Sequence, residues 1–194
     1  MGRWQPRARE RLESAALELF LEQGFAETTV PQITARAGLT TRTFFRHFAD
    51  KREVLFAGEE DVPALVTRLL AEAPATLSPL AVIDWGFQPF AAATFEGRFE
   101  ELRMRRRIIQ ADAGLREREL QKRATLAEAV RQGFLLRGTD ELTALLAAEI
   151  AVTVFSVSLT RWLDQDAGDK LAGIIVHTLQ VLRGVAAETL VPAQ

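Results

Sequence analysis

The chain has 194 residues, 48% of them hydrophobic, no cysteine, and a net charge of −2. That length suits one or two small domains with a substantial core, and the absence of thiols excludes a disulfide framework or a thiolate nucleophile and suits a reducing compartment. The first residues, MGRWQPRARERLE, contain no apolar run that reads as a signal peptide, so a cytoplasmic protein is expected. The charge is mildly asymmetric. Residues 1–55 hold nine Lys or Arg against seven Asp or Glu, and the remainder fifteen against nineteen, which places the positive side at the N-terminal end.

In chain order, Arg7 to Gln23 reads as an amphipathic helix, with Leu12, Ala15, Ala16, Leu19 and Phe20 at helical spacing and Gly24 closing it. A second helix starts after Thr29, whose hydroxyl can cap free amides while Gln32 completes the reciprocal box. Val30, Ile33 and Ala37 share its inner face, and Gly38 supplies the left-handed residue that ends it, after which Leu39 packs inward. Thr40 caps a third helix, Thr41 to about His47, on which Phe44 and Phe48 form an inward i, i+4 pair. Thr41, Arg42, Phe45 and Arg46 are left facing out. Asp50 and Glu53 make another capping box, predicting a helix from Lys51 that runs, with a bend near Pro63, to about Glu72. Two short helices about a glycine turn form the layout of a helix-turn-helix, whose second helix enters the DNA major groove.

Pro74 and Pro79 break the next stretch, with Ser78 and Pro79 placed as cap and first residue of a new helix. Pro89 is expected to end or kink that helix, and Gly97 to mark the following turn. Arg98 to Ala111 reads as helical, Gly114 as an interruption, and Leu115 to Arg137 as a long helix stopped by Gly138. Thr139 is placed to cap the next helix, which runs to about Leu163 and is apolar nearly all round. Its run from Leu142 to Leu163 is interrupted by Glu149 and ends in Arg161, which reads as a buried helix and not a membrane span. The last helix, Asp169 to about Thr189, aligns Leu171, Ile175, Thr178, Leu179, Leu182 and Ala186 in one stripe, with Ile174, Val181 and Val185 partly round the other side. No strand pattern or repeat stands out. The expected fold is all-α, with an N-terminal helix-turn-helix domain over 1–55 and a larger helical domain over 56–194. Two final helices with apolar surface on more than one side need a partner beyond their own domain; Phe155, Leu159, Ile175, Thr178, Leu179 and Leu182 are the expected interface.

The run Ala37-Gly38-Leu39-Thr40, followed by Thr43-Phe44-Phe45-Arg46-His47-Phe48 and then Lys51, Glu53, Val54 and Leu55, resembles the DNA-binding domain of the TetR family of bacterial transcriptional regulators. The resemblance covers roughly Arg7 to Leu55. It implies a homodimer in which the last two helices pair with their symmetry mates as a four-helix bundle. A two-fold dimer presents two recognition helices about one DNA turn (roughly 34 Å) apart, so its operator should be an inverted repeat. By position, the resemblance implies that Thr41, Arg42, Thr43 and Phe45 face the groove, Arg42 either donating two hydrogen bonds to a guanine edge or contacting phosphate. His47 and Lys51 match positions that touch the phosphate backbone, Lys51 near a helix N-terminus that also favours anions. Thr29 doubles as cap and phosphate donor. Arg3, Arg7, Arg9 and Arg11 either reach the duplex or stay solvated. Phe45 departs from the family's usual tyrosine; without the hydroxyl it offers only apolar contact with sugar or a thymine methyl. Pro31 is also unusual, though tolerable in a first helical turn.

The resemblance further implies a cavity in the second domain for a small effector that shifts the recognition helices out of register, most often releasing a repressor. Candidate walls are Trp85, Phe87, Phe90, Phe95, Phe99, Met104, Phe134, Phe155 and Trp162, each equally a natural core residue. Arg103, Arg106, Arg107 and Gln110 form a polar stripe with Arg105 beside it. Such a stripe is either a solvated face or the border of a pocket mouth, and the second case favours an anionic ligand such as an acyl-coenzyme A. No cofactor, metal or catalysis is expected. There are two histidines, His47 and His177, no tyrosine, and no G-x-S-x-G, P-loop or H-E-x-x-H pattern. Asp164 to Asp169 superficially resembles a calcium loop but has Ile175 where a bidentate Glu is needed. The alternative to a ligand-responsive regulator is a helical small-molecule-binding or scaffold protein with a vestigial helix-turn-helix.

Overall fold

The computed structural model describes residues 7–58, 61–165 and 170–188. Among the described residues there are nine α-helices and no strand: α1 (Ala8–Gln23), α2 (Val30–Arg36), α3 (Thr41–His47), α4 (Val62–Glu72), α5 (Pro79–Phe95), α6 (Phe99–Ala111), α7 (Ala113–Leu136), α8 (Glu141–Asp164) and α9 (Leu171–Glu188), with one 3₁₀ turn over Glu53–Phe56. By packing, the chain divides into two compact units. The first takes the residues up to Glu60 together with Glu101–Leu120, and the second takes Asp61–Glu100 with Gln121 onward. Residues 101–120, which the sequence pattern groups with the second domain, therefore pack with the first.

In the first unit each helix end has a local cause. The Thr29 hydroxyl accepts from the Gln32 amide while Gln32 Oε1 accepts from the Thr29 amide at 2.8 Å, the reciprocal box its spacing predicts. Gly38 takes φ +62°, and the Leu39 amide donates back to Thr34 O at 2.8 Å, closing α2 with a left-handed residue. Thr40 Oγ accepts from the Thr43 amide at 3.2 Å and opens α3. The core below is built from Leu12, Phe20, Ile33, Phe44, Phe48 and Leu55, joined by Ile108, Ile109 and Leu115. Phe44 is 0% exposed, which is worth about 1.5–3 kcal/mol of burial for that side chain alone.

The helix expected from Lys51 does not form as one rod. Asp50 does accept from the amides of Arg52 (2.7 Å) and Glu53 (3.2 Å), but only a 3₁₀ turn follows. Gly58 then adopts φ +84°, which a continuing helix forbids, and Pro63 enters the first turn of α4, where its missing N–H costs nothing. Glu53 instead pairs with Arg118 at 2.9 Å.

In the second unit α8 packs on α9 and α5, and α5 also on α4 and α9. Ser78 sits at the N-cap of α5 without a side-chain cap, Pro79 starts the helix, and α5 continues through Pro89 to Phe95. The break after α6 falls at Asp112, whose carboxylate accepts from the Leu115 amide at 3.0 Å; Gly114 lies inside α7. Asp140, not Thr139, caps α8, accepting from the Thr143 amide at 3.0 Å, because the Thr139 amide is engaged in closing α7 onto Phe134 O at 3.1 Å. The C-terminus of α4 is closed by Arg137, whose guanidinium donates to Leu70 O (2.8 Å), Ala73 O (2.7 Å) and Pro74 O (2.8 Å). Gly133 of α7 lies so near α4 that a Cβ there would come 2.3 Å from Leu70 Cδ1. By length and composition α8 could cross a membrane, with a mean hydropathy of 2.0, but Ala144, Ala147, Ala151, Val152 and Val154 are buried within the unit.

Candidate nucleic-acid interface

The seven residues of α3 stand on two rings. Phe44 and Phe48 lie 5.4 Å apart beneath the helix, and Phe45 sits edge-on to Phe44 at 5.4 Å and 82° while remaining 58% exposed. Anchoring on one side leaves the other side rigid and solvent-facing, the condition for reading a groove without an ordering cost. Thr41, Arg42 and Arg46 are exposed there, whereas Thr43 is half-buried, its hydroxyl 3.0 Å from that of Thr40.

The arginines of this unit fall into two classes. Arg36 is held by Glu22 (2.8 Å) and Glu18 (3.1 Å), Arg52 by Asp50 (2.6 Å), and Arg9 by Glu13 (3.0 Å); Arg11 donates to the carbonyl of Ala37 at the end of α2. Arg42 and Arg46, one turn apart on α3, make no hydrogen bond or ion pair among the described residues. Glu13, Glu18, Glu22 and Asp50 are thus engaged by other arginines, and among the described residues the guanidiniums of Arg42 and Arg46 stay unpaired on the outer face of α3. Such a face suits phosphate and guanine acceptors. Arg3 lies outside the described residues.

His47 follows these arginines. Its Nε2 is shielded from solvent and has no hydrogen-bond partner among the described residues, and desolvation, then Arg46 and Arg9, hold its pKa below the ordinary imidazole value. A phosphate beside it would reverse that bias. Lys51 has a different occupation from the backbone contact expected of it. Its ammonium donates to Phe25 O (2.8 Å), Ala26 O (3.2 Å) and Thr28 O (2.8 Å) and lies 4.4 Å from the Phe25 ring centre. Three donors meet three carbonyls, which makes Lys51 a clamp on the α1–α2 loop. The Thr29 hydroxyl is likewise engaged with Gln32 Oε1, at 2.9 Å.

The second unit contains a cavity of about 60 Å³ between α4, α5, α7 and α8, walled among others by Leu70, Ile83, Gly86, Phe87, Val130 and Phe155. A second hollow, of about 420 Å³, lies among Phe95, Phe99, Trp162 and Lys170.

Residues 13–57, which span most of α1, all of α2 and α3 and the 3₁₀ turn, match the family described as bacterial regulatory proteins, tetR family. Across a longer stretch the chain is 33% identical over 138 residues to the HTH-type transcriptional regulator TcmR of Streptomyces glaucescens, covering 66% of this chain and 61% of that protein. The likeness to the TetR family thus rests on the helix-turn-helix segment, and the chain spans less than two thirds of the length of this curated relative. Among solved structures, it overlays with a TM-score of 0.63 on NalD, the secondary repressor of the MexAB-OprM multidrug efflux pump in Pseudomonas aeruginosa, at 22% identity over 92% of this chain and 96% of that one. The SmeT–triclosan complex, SmeT being a Stenotrophomonas maltophilia repressor, gives 0.59 at 23% identity, over 92% and 90%. These two likenesses concern the fold.

Set against the TetR expectations, the structure gathers some expected effector residues and disperses others. Phe87, Phe90 and Phe155 line the smaller cavity together. Trp162 lines the larger hollow, Phe134 is buried core at 1% exposure, Trp85 faces solvent, and Met104 is half-buried on α6. The polar stripe is not part of either wall. Arg103 and Arg107 are exposed on α6, and Arg105 is buried in the first unit, where it donates to Val54 O (3.2 Å), Leu55 O (3.0 Å) and Ala57 O (3.4 Å) and pairs with Glu101 (2.8 Å) and Glu13 (3.3 Å). The expected dimer stripe is also turned inward. Ile175 and Leu179 are 0% and 1% exposed, and Thr178 donates to Ile174 O (2.8 Å) while accepting from Ser158 (3.0 Å). Phe155 packs 5.4 Å from both Phe90 and Phe95, and Leu159 and Leu182 are half-buried. The exposed large apolar side chains are instead Leu142, Leu145, Leu146 and Val157 of α8 and Val181 and Val185 of α9. The aliphatic walls of the cavity, absent from the expected set, carry one sequence signal: Gly86, a residue that weakens a helix interior, placed within the bulky run of α5.

Proposed function

We propose that this chain is a homodimeric transcriptional regulator, most simply a repressor, that grips an inverted-repeat operator in double-stranded DNA with two copies of α3 and lets go when a small molecule enters the second unit. It acts in the cytoplasm as a binding protein and not as an enzyme. The observation that carries this reading is the pair Arg42 and Arg46, left without partners on the rigid face of α3 while neighbouring arginines are committed to carboxylates or carbonyls. Arg42 supplies base readout, Arg46 and His47 the phosphate contacts, and Thr41 and Phe45 the remaining groove surface. The two-fold partner covers the exposed stripe Leu142, Leu146, Val157, Val181 and Val185, on the opposite side of α8 and α9 from Ile175 and Leu179. His177, exposed and one turn before Val181, belongs to the same interface.

Fluorescence anisotropy on a duplex selected by the protein from random sequence tests this reading. Arg42→Ala should weaken the selected site by about 1–3 kcal/mol and relax preference at one base pair, with far less effect on random DNA. Equal losses on both DNAs would remove Arg42 from base readout. Failure of the wild-type chain to select any duplex, or a monomer at micromolar concentration, would overturn the regulator reading and leave the helical scaffold.

A further inference from the structure

Building on the reading that a small molecule enters the second unit, we infer that its site is the smaller cavity, that the ligand is a compact, uncharged, apolar molecule, and that neither an acyl-coenzyme A nor a lipophilic cation is what this cavity is shaped to hold. No lining side chain carries a charge or a hydrogen-bonding group; Leu70, Ile83, Phe87, Val130, Val152 and Phe155 are representative. The lining residues all belong to helices, α4, α5, α7 and α8, so their backbone donors and acceptors are largely used within the helices themselves. An ionic group brought inside would lose its hydration and find no counter-charge or dipole to offset that loss.

The space itself is about 60 Å³, where roughly 10–15 Å³ holds one water molecule. With no polar partner, water gains little there, and an apolar guest displaces it at low cost. Phe87 and Phe155 lie nearly parallel, 19° between planes with centroids 6.4 Å apart, a stacked pair that forms part of this wall.

Gly86 provides a specific test. It lines the cavity, its backbone is ordinary helix, and a Cβ built there meets nothing within 4 Å. A side chain at this position starts in open space, and replacing a glycine in a helix interior is itself stabilising. Gly86→Leu should therefore melt at a higher temperature than the parent and lose its ligand, a combination that misfolding cannot imitate. Gly86→Ala should lie between the two.

The probes are benzene, benzoate and benzylammonium, which share one ring and differ in charge, tested by thermal unfolding and calorimetric titration of the whole chain. Benzene should raise the melting temperature dose-dependently and bind at least about tenfold more tightly than either ion. Its effect should vanish in Gly86→Leu. Equal stabilisation by either ion would overturn the inference. So would benzene binding that survives Gly86→Leu, which would move the guest to the hollow around Trp162 and Lys170. Operator binding on the same samples keeps the two readings apart. Charge-selective, Gly86-dependent binding without operator release fails the effector role and upholds the cavity's chemistry, whereas operator release by the ions but not by benzene does the reverse.

Discussion

Replacing Lys51 with methionine keeps the length of the side chain and removes its charge, and the structure predicts a loss of stability where family position predicts a loss of DNA affinity. The ammonium makes hydrogen bonds of 2.8, 3.2 and 2.8 Å to the carbonyls of Phe25, Ala26 and Thr28 and sits 4.4 Å from the Phe25 ring centre. A hydrogen bond to a charged group contributes about 1.5–3 kcal/mol, and a partly exposed cation–π contact about 0.5–1 kcal/mol. Three bonds from one half-buried ammonium do not add, because the group also gives up hydration and the carbonyls can rehydrate. A net cost of about 2–3 kcal/mol to the first unit follows. Hydrogen exchange read on peptides from α1 and α2 is the appropriate assay, since a chain with two packing units need not unfold in one step. The slowest amides there should exchange roughly 30- to 140-fold faster, at a factor of ten per 1.4 kcal/mol. The salt dependence of operator binding should keep its slope, whereas a lost phosphate contact would lower it by about 1. Unchanged protection together with a reduced slope would refute the clamp and restore Lys51 to the duplex.

Two further outcomes are expected. Arg105→Met should destabilise the first unit by about 3 kcal/mol, because it leaves two carboxylates and three carbonyls without a buried donor, while Arg107→Met, exposed on the same helix, should stay within about 0.5 kcal/mol; urea unfolding followed by circular dichroism distinguishes them, and equal effects would refute the assignment. For His47, burial and the neighbouring arginines lower the folded-state pKa, so the unfolded chain binds more protons just below pH 6.5 and folding loses stability as pH falls through that range. A bound phosphate favours the imidazolium, so binding takes up a proton, and operator affinity should rise as pH is lowered from about 8 to about 6. His47→Gln should flatten that profile; a flat profile in the parent would show that no phosphate reaches the ring.

What could be read from the chain in advance was what nearby residues decide among themselves. Thr29 with Gln32, Gly38 with Leu39, Thr40, and Phe44 with Phe48 act within five residues of one another, and their caps, closure and pairing form as their spacing dictates. The roles of the basic residues were not legible, because their partners are distant. Lys51 and Arg11 reach across 26 residues, Arg105 across about 50 and Arg137 across 67, in each case to backbone carbonyls, several of them at helix ends. Nothing local distinguishes such a capping cation from one that faces phosphate; only the absence of carbonyls around Arg42 and Arg46 does so. The orientation of α9 was hidden for a related reason. Both its Ile175–Leu179 and Val181–Val185 stripes are apolar, and packing against α5 and α8 decides which one turns inward. In the cavity wall Phe87, Phe90 and Phe155 were legible as aromatic side chains, whereas the valines and leucines between them carry no pattern of their own.

Gly133 gives the cavity a second, indirect control. It faces Leu70 from behind, and Leu70 is part of the wall, so one added methyl group on α7 must displace that leucine. Evolution or a screen seeking a new inducer thus need not alter any surface the inducer touches. A lineage could retune what it senses from the outer side of the partition, with the lining itself unchanged in sequence.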